Sequence, residues 1–182
     1  FFLVLQVGGG GARAGPGAYA APLPAASATA NDMCALLPCA EVFPGATRFS
    51  ERKGQPPYVE AYGEPQADEK KLLGYVMLST DITDTPAYSG KPVVTLIGMD
   101  ITGHFVGVKV LKHSEPILLL GIPESALLNF NNQYIGKSVA QNIEVGQSRP
   151  EENILGLDAI SGATVTVIAQ NQVMMTSGTN IA

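Results

Sequence analysis

The densest run of reactive side chains lies near the end of the sequence, in DAISGATVT: Asp158, Ala159, Ile160, Ser161, Gly162, Ala163, Thr164, Val165 and Thr166. It holds three hydroxyls, on Ser161, Thr164 and Thr166, behind a single carboxylate. A Ser-Gly pair opening a helix leaves backbone N–H groups without intrahelical partners beside the positive end of the helix dipole. That is phosphate-binding chemistry. Gly162 would let a phosphate come close to the backbone. The same residues also spell a Ser N-cap led by an Asp turn, with Asp158 as a favourable charge ahead of the helix. Spacing alone leaves both readings open.

Other candidates are sparse. His113 and Glu115 follow a β-rich run and read either as a cleft-facing polar pair or as exposed residues flanking a turn. Tyr88, Ser89 and Gly90 form a turn ahead of Lys91 and Pro92. The chain has two histidines and two cysteines, too few for a His-rich metal centre or a four-thiolate site. No Ser-His-Asp or Cys-His set is apparent. Cys34 and Cys39, in CALLPC, read as two ordinary small residues at the domain edge, with closure of a small ring as the alternative for an exported chain.

The elements that must position these groups follow from periodicity. LLGYVMLST (72–80), VVTLIGMD (93–100) and FVGVKVLKH (105–113) are rich in β-formers and read as strands. Asp100 to His104 fits a short hairpin loop with Gly103 in a left-handed conformation, making the last two strands antiparallel neighbours. Gly98 and Gly107 inside strands suggest bulges or close approach of another group. After Pro123, Leu127, Leu128, Phe130, Tyr134 and Ile135 share a helical stripe that Gly136 stops. A last helix should start near Gly162 and run through Met175; its β-branched content keeps a strand as the alternative. Met174 and Met175 read as core filler. Lys109 and Lys112 read as a solvated face or edge protection. Strands and helices that do not alternate regularly indicate an α+β fold, an antiparallel twisted sheet with packed helices.

Composition narrows the classes. The 182 residues are 46% hydrophobic and 15% charged, which supports a real core and excludes general disorder. A net charge of −5 argues against nucleic-acid binding. No apolar run approaches the roughly 18 residues of a membrane span. The sequence begins at Phe1, which reads as a fragment or a processed product. The apolar Phe1 to Val7, a Gly-rich stretch and Ala18-Tyr19-Ala20 resemble the remnant of an export signal over 1–20, followed by a linker over 21–38 and a domain over 39–178.

DAISGAT resembles the flavinylation motif of the FMN-binding domains in RnfG-like, NqrC-like and NosR-like proteins. In that motif an aspartate leads and the seventh residue is a threonine, to which a dedicated flavin transferase esterifies the FMN phosphate. The matching residue is Thr164, with Asp158, Ser161, Gly162, Ala163 and Thr166 around it. Tyr88 to Pro116 is similar to the family's sheet and its His-x-Glu element, which implies that His113, Glu115 and Tyr88 contact the flavin. FPGATRF (43–49), LLGYVMLSTD and HSEPILLLGIPE resemble the NosR-like branch more narrowly. Glu115-Pro116-Ile117-Leu118 departs from the Glu-Thr-Pro-Gly-Leu-Gly usual in RnfG-like and NqrC-like chains. The resemblance implies a covalent FMN, a flavin transferase as partner and a periplasmic electron-transfer domain anchored by transmembrane segments elsewhere in its protein. It further implies service to nitrous oxide reductase or its maturation and expression. An FMN subunit of an ion-pumping oxidoreductase and a sensory flavin module are the alternatives.

Overall fold

In the computed structural model, residues 31–64 and 71–182 are described. The expected export signal and residues 21–30 of the expected linker lie outside them. The β-branched and aromatic runs pair as β1 (Arg48–Phe49), β2 (Val59–Tyr62), β3 (Leu72–Leu78), β4 (Val94–Asp100) and β5 (Phe105–Lys112). They form a five-stranded antiparallel sheet in sequential order. Three helices pack around it, α1 (Cys39–Val42), α2 (Glu124–Asn132) and α3 (Thr164–Ile181), and a parallel pair, β6 (Asn142–Val145) and β7 (Ile154–Leu157), leads into α3. The fold is α+β, and the three expected strands and both expected helices are present. Thr80 falls in a 3-10 turn at Ser79–Asp81 rather than in β3.

The β4–β5 hairpin closes as the residue types dictate. One carboxylate oxygen of Asp100 accepts the N–H groups of Thr102 (2.8 Å) and His104 (3.0 Å), and Gly103 has φ +80°. Gly98 and Gly107 pair across the hairpin, beside a register shift at Gly98/Met99. A Cβ on either glycine would lie 2.2 Å from the carbonyl oxygen of Val42, so α1 sits directly on this part of the sheet. Bulge and close approach are both realised. Lys109, expected on a solvated face, pairs with Glu41 of α1.

Alternation along the strands sends side chains to both faces, and both are covered. Val76, Leu78 and Leu96 pack under Met33, Leu37, Val42 and Phe43. Met77, Ile97, Met99 and Phe105 pack under Phe130, Tyr134, Val167 and Met174 of the C-terminal half. The N-terminal cover corrects two expectations. Cys34 and Cys39 are joined by a disulfide, because the 3-10 turn at Met33–Ala35 and the start of α1 bring their Cα atoms to 5.4 Å. Met33 and Leu37 are buried core residues, so packed structure begins ahead of residue 39.

α3 is helical despite its β-branched content because tertiary burial overrides a weak intrinsic preference. Val167, Val173 and Met174 are buried, and a polar network fixes the helix's rotation. The Gln170 amide donates to Thr95 Oγ1 of β4 (3.0 Å) and to Asn131 Oδ1 of α2 (2.7 Å). Tyr134 donates to Asn171 Oδ1 (2.6 Å), and Asn171 donates to the carbonyl of Ile143 in β6 (2.9 Å). Buried polar groups tied on three sides permit one seating of α3, and that seating fixes where its first turn points.

Candidate functional site

The loop from β7 to α3 ends in a tight turn. The N–H of Ala163 donates to the carbonyl of Ile160 (3.0 Å) and Gly162 has φ +82°. This is the conformation a type II turn demands at its third residue, and glycine adopts it without strain. The helix then begins at Thr164 with Ala163 as N-cap and no capping side chain. The first intrahelical bond runs from Val167 N–H to Ala163 O (3.1 Å), so the N–H groups of Thr164, Val165 and Thr166 precede the helical ladder. Ser161 is therefore an exposed turn residue and not the cap that one reading of the sequence made it. The positive end of an 18-residue helix is left for something other than its own side chain.

A cleft of about 260 Å³ opens at this helix end. Gly162, Ala163, Thr164, Val165 and Thr166 line one wall; Pro116, Ile117 and Leu120 line the other; Tyr88 stands on the rim, 64% exposed. Beneath lies a small core of Ala87, Val93, Val110, Ile117, Leu127, Ala163 and Ala169. The two motif threonines have opposite environments. Thr164 is exposed, while Thr166 is 2% exposed and donates its hydroxyl proton to the Glu115 carboxylate.

Glu115 and His113 are neither a cleft-facing pair nor exposed turn residues. Both are buried, and they stand behind the wall that Pro116 and Ile117 present. The Glu115 carboxylate also accepts the backbone N–H groups of Tyr88 (3.2 Å) and Ser89 (2.9 Å). The backbone N–H of Glu115 donates to Nδ1 of His113 (3.1 Å), so the neutral ring carries its proton on Nε2. Burial pushes the His113 imidazole below its ordinary range, against the opposing pull of Glu124 and Glu115.

Asp158 lies apart. Its side chain is exposed and its backbone is gripped by Gln133, whose Oε1 accepts the Asp158 N–H (2.8 Å) and whose Nε2 donates to the Asp158 carbonyl (3.1 Å). Asp158 borders a second depression of about 420 Å³, with Ala126, Asn129, Phe130, Gln133, Ala159 and Ile160. The motif loop is thus a ridge with Thr164 on one flank and Asp158 on the other. Gln133 escaped the sequence reading, since a glutamine at the end of a helix carries no signal of what backbone it meets.

The site residues fit a flavin phosphate. A hydroxyl-bearing first helical residue and the N–H groups around it suit the phosphate. Pro116, Ile117, Leu120, Val165 and Tyr88 give the cleft the apolar and aromatic surface a flat heteroaromatic ring prefers. A Cβ on Gly162 would meet only Ile122 Cδ1 at 3.4 Å, so the glycine requirement comes from its backbone conformation rather than from protein crowding.

Residues 88–175 match the FMN-binding domain family, an interval that begins at Tyr88 and takes in every site residue above. The domain they form belongs to that family. The chain is 42% identical over 112 residues to the regulatory protein NosR of Stutzerimonas stutzeri, covering 62% of this chain and 15% of the relative. It is 37% identical over 147 residues to the regulatory protein NosR of Pseudomonas aeruginosa, covering 80% and 20%. Protein NirI of Paracoccus denitrificans is 30% identical over 96 residues, covering 53% and 13%. The chain therefore spans a fifth or less of the length of these relatives. Among the described residues no helix is long and apolar enough to cross a membrane.

Proposed function

We propose that this is a covalently flavinylated electron-transfer domain, with FMN held as a phosphoester on Oγ1 of Thr164, in a NosR-like membrane protein that supports nitrous oxide reductase or its maturation. The observation that carries the reading is the exposed Thr164 hydroxyl in a cleft, on the first residue of an uncapped helix, within the interval that matches the FMN-binding family. When bound, FMN would supply reversible redox chemistry. The chain's own residues do the rest. The N–H groups at the start of α3 receive the phosphate charge. Gly162 makes the turn that brings them to the cleft. The apolar wall of Pro116, Ile117 and Leu120 shields a ring from water, and Tyr88 offers it an aromatic face. An ester tether suits a compartment where free flavin is scarce. The Cys34–Cys39 disulfide supports a periplasmic position, because such bonds persist in oxidising compartments. Asp158, on the other flank of the ridge, is free for a flavin transferase to read.

Co-expression with a flavin transferase, denaturation and gel separation test the attachment. The band should fluoresce in the native sequence and be dark in Thr164→Val. A bright Thr164→Val band would defeat the assignment. A second reading, a sensory flavin module, draws on the description of two relatives as regulatory proteins. Thr164→Val in the full-length protein separates the two. Nitrous oxide reduction should fall with the reductase still made; loss confined to transcription of the reductase would favour the sensor.

A further inference from the structure

Glu115 is an acidic side chain only 1% exposed, and it joins three segments at the cleft. It sits just after β5. It accepts from two successive backbone N–H groups, those of Tyr88 and Ser89, in the loop between β3 and β4. It accepts the hydroxyl proton of Thr166 in the first turn of α3. A carboxylate taken out of water is tolerated when several donors surround it, and removal of the donors or of the charge is then felt strongly. The two walls and the rim of the cleft are the segments so joined: Pro116 and Ile117 adjoin Glu115 in sequence, Tyr88 is one of its donors, and Thr166 is two residues from Thr164.

We propose that Glu115 is the positioning residue of the flavin site, a buried carboxylate clamp that holds the Tyr88–Ser89 turn to the first turn of α3 and so sets the rim aromatic against the attachment threonine before any flavin arrives. The clamp rests on the flavin reading for its purpose, but not for its existence. Glu115 does not line the cleft; it acts through Tyr88 and Thr166. It also withdraws one of the motif's hydroxyls from the cleft, since the Thr166 proton is committed to the carboxylate.

Amide hydrogen exchange on the flavin-free protein tests the clamp directly. The Tyr88 and Ser89 amides should be protected in the native sequence. Glu115→Ala should speed their exchange about tenfold or more, with β4 and β5 amides unchanged. Glu115→Gln keeps an acceptor oxygen without the charge and should give an intermediate rate, which also decides the matter if the alanine variant does not fold. Unchanged Tyr88 and Ser89 exchange in the folded variants overturns the proposal. A second readout uses flavinylated protein. Thr166→Val cuts the clamp at its far end without touching the turn, and should lower the anisotropy of emission from the flavin that is covalently attached. Anisotropy that does not move would likewise count against the clamp. A native sequence that takes up no flavin would instead defeat the flavin reading, and exchange alone would then judge Glu115.

Discussion

Two threonines of one motif should give opposite phenotypes when each becomes valine. Valine keeps the branched shape of threonine, so neither change opens a cavity. At Thr166 the lost hydroxyl is buried and bonded to the Glu115 carboxylate, which keeps its other two donors, the N–H groups of Tyr88 and Ser89. A hydrogen bond to a charged group contributes about 1.5–3 kcal/mol. For a domain of this size each kcal/mol moves the midpoint by roughly 2–4 °C, so Thr166→Val should lower Tm by roughly 3–12 °C. At Thr164 the hydroxyl is exposed on the cleft, and the change should cost less than about 0.5 kcal/mol. Flavin attachment should follow the reverse order, lost in Thr164→Val and kept in Thr166→Val.

Thermal unfolding of the flavin-free proteins gives the first axis, and in-gel flavin fluorescence after co-expression with the transferase gives the second. Equal Tm values for the two variants would refute the energetic argument, because the buried bond to Glu115 would then contribute nothing. A flavin that vanishes in folded Thr166→Val and persists in Thr164→Val would refute the assignment of roles by exposure.

Gly162→Ala should lower stability by roughly 1–2 kcal/mol, the cost of a left-handed backbone for a residue with a Cβ, and should reduce flavin loading at temperatures where the variant is still folded; unchanged Tm and loading would show the turn is not needed. The Cys34–Cys39 bond closes only a short loop, so its reduction should cost about 2 kcal/mol, read as a lower midpoint in denaturant with added thiol. Gly107→Ala drives a Cβ to 2.2 Å from the Val42 carbonyl oxygen and should cost roughly 1–3 kcal/mol or more by overpacking, measured against native protein in urea. His113 is held below its ordinary value of 6.5 by burial, so the unfolded chain binds a proton there that the folded chain refuses. Stability should therefore fall as pH drops from about 6.5 toward the lower folded value. His113→Asn, which keeps an acceptor near the Nδ1 position, should remove that part of the slope; an unaltered profile between wild type and variant would refute it.

Periodicity exposed what periodicity controls. Leu127, Phe130 and Tyr134 recur along α2, so that helix could be read before any contact was known. Val106 and Val108, two apart on β5 and read from the sequence as sharing a face, instead join different packing clusters beside the register shift at Gly98/Met99. Gly98 and Gly107 announced a close approach without saying that it was the Val42 carbonyl. β1 has only two residues and β6 and β7 four each, too short to display a period. The Cys34–Cys39 bond and the burial of Met33 depend on a 3-10 turn folding back over the sheet, which short-range patterns do not express. The site was legible to the same degree. The motif named its reactive residues, but the partners of Glu115 come from segments 26, 27 and 51 residues away. A sequence window that sees Glu115 beside a histidine and a proline reads a surface turn. The fold instead places it at the centre of the walls it joins.

The spacing of the motif hydroxyls carries the last step. An α-helix turns about 100° per residue, so positions two apart point about 200° from one another. Thr164 is accordingly exposed, while Thr166 turns its hydroxyl inward and is buried against Glu115. A threonine-x-threonine pair at the start of a helix is therefore not two equivalent nucleophiles. On the proposed reading one hydroxyl is offered to an incoming phosphate among the free N–H groups, while the other anchors the helix end to a buried carboxylate. Ser161 falls outside this geometry because the type II turn at Gly162 separates it from the helix. If a phosphate is attached here, the helix start at Thr164 and the Thr166–Glu115 bond already distinguish the three hydroxyls by position and exposure.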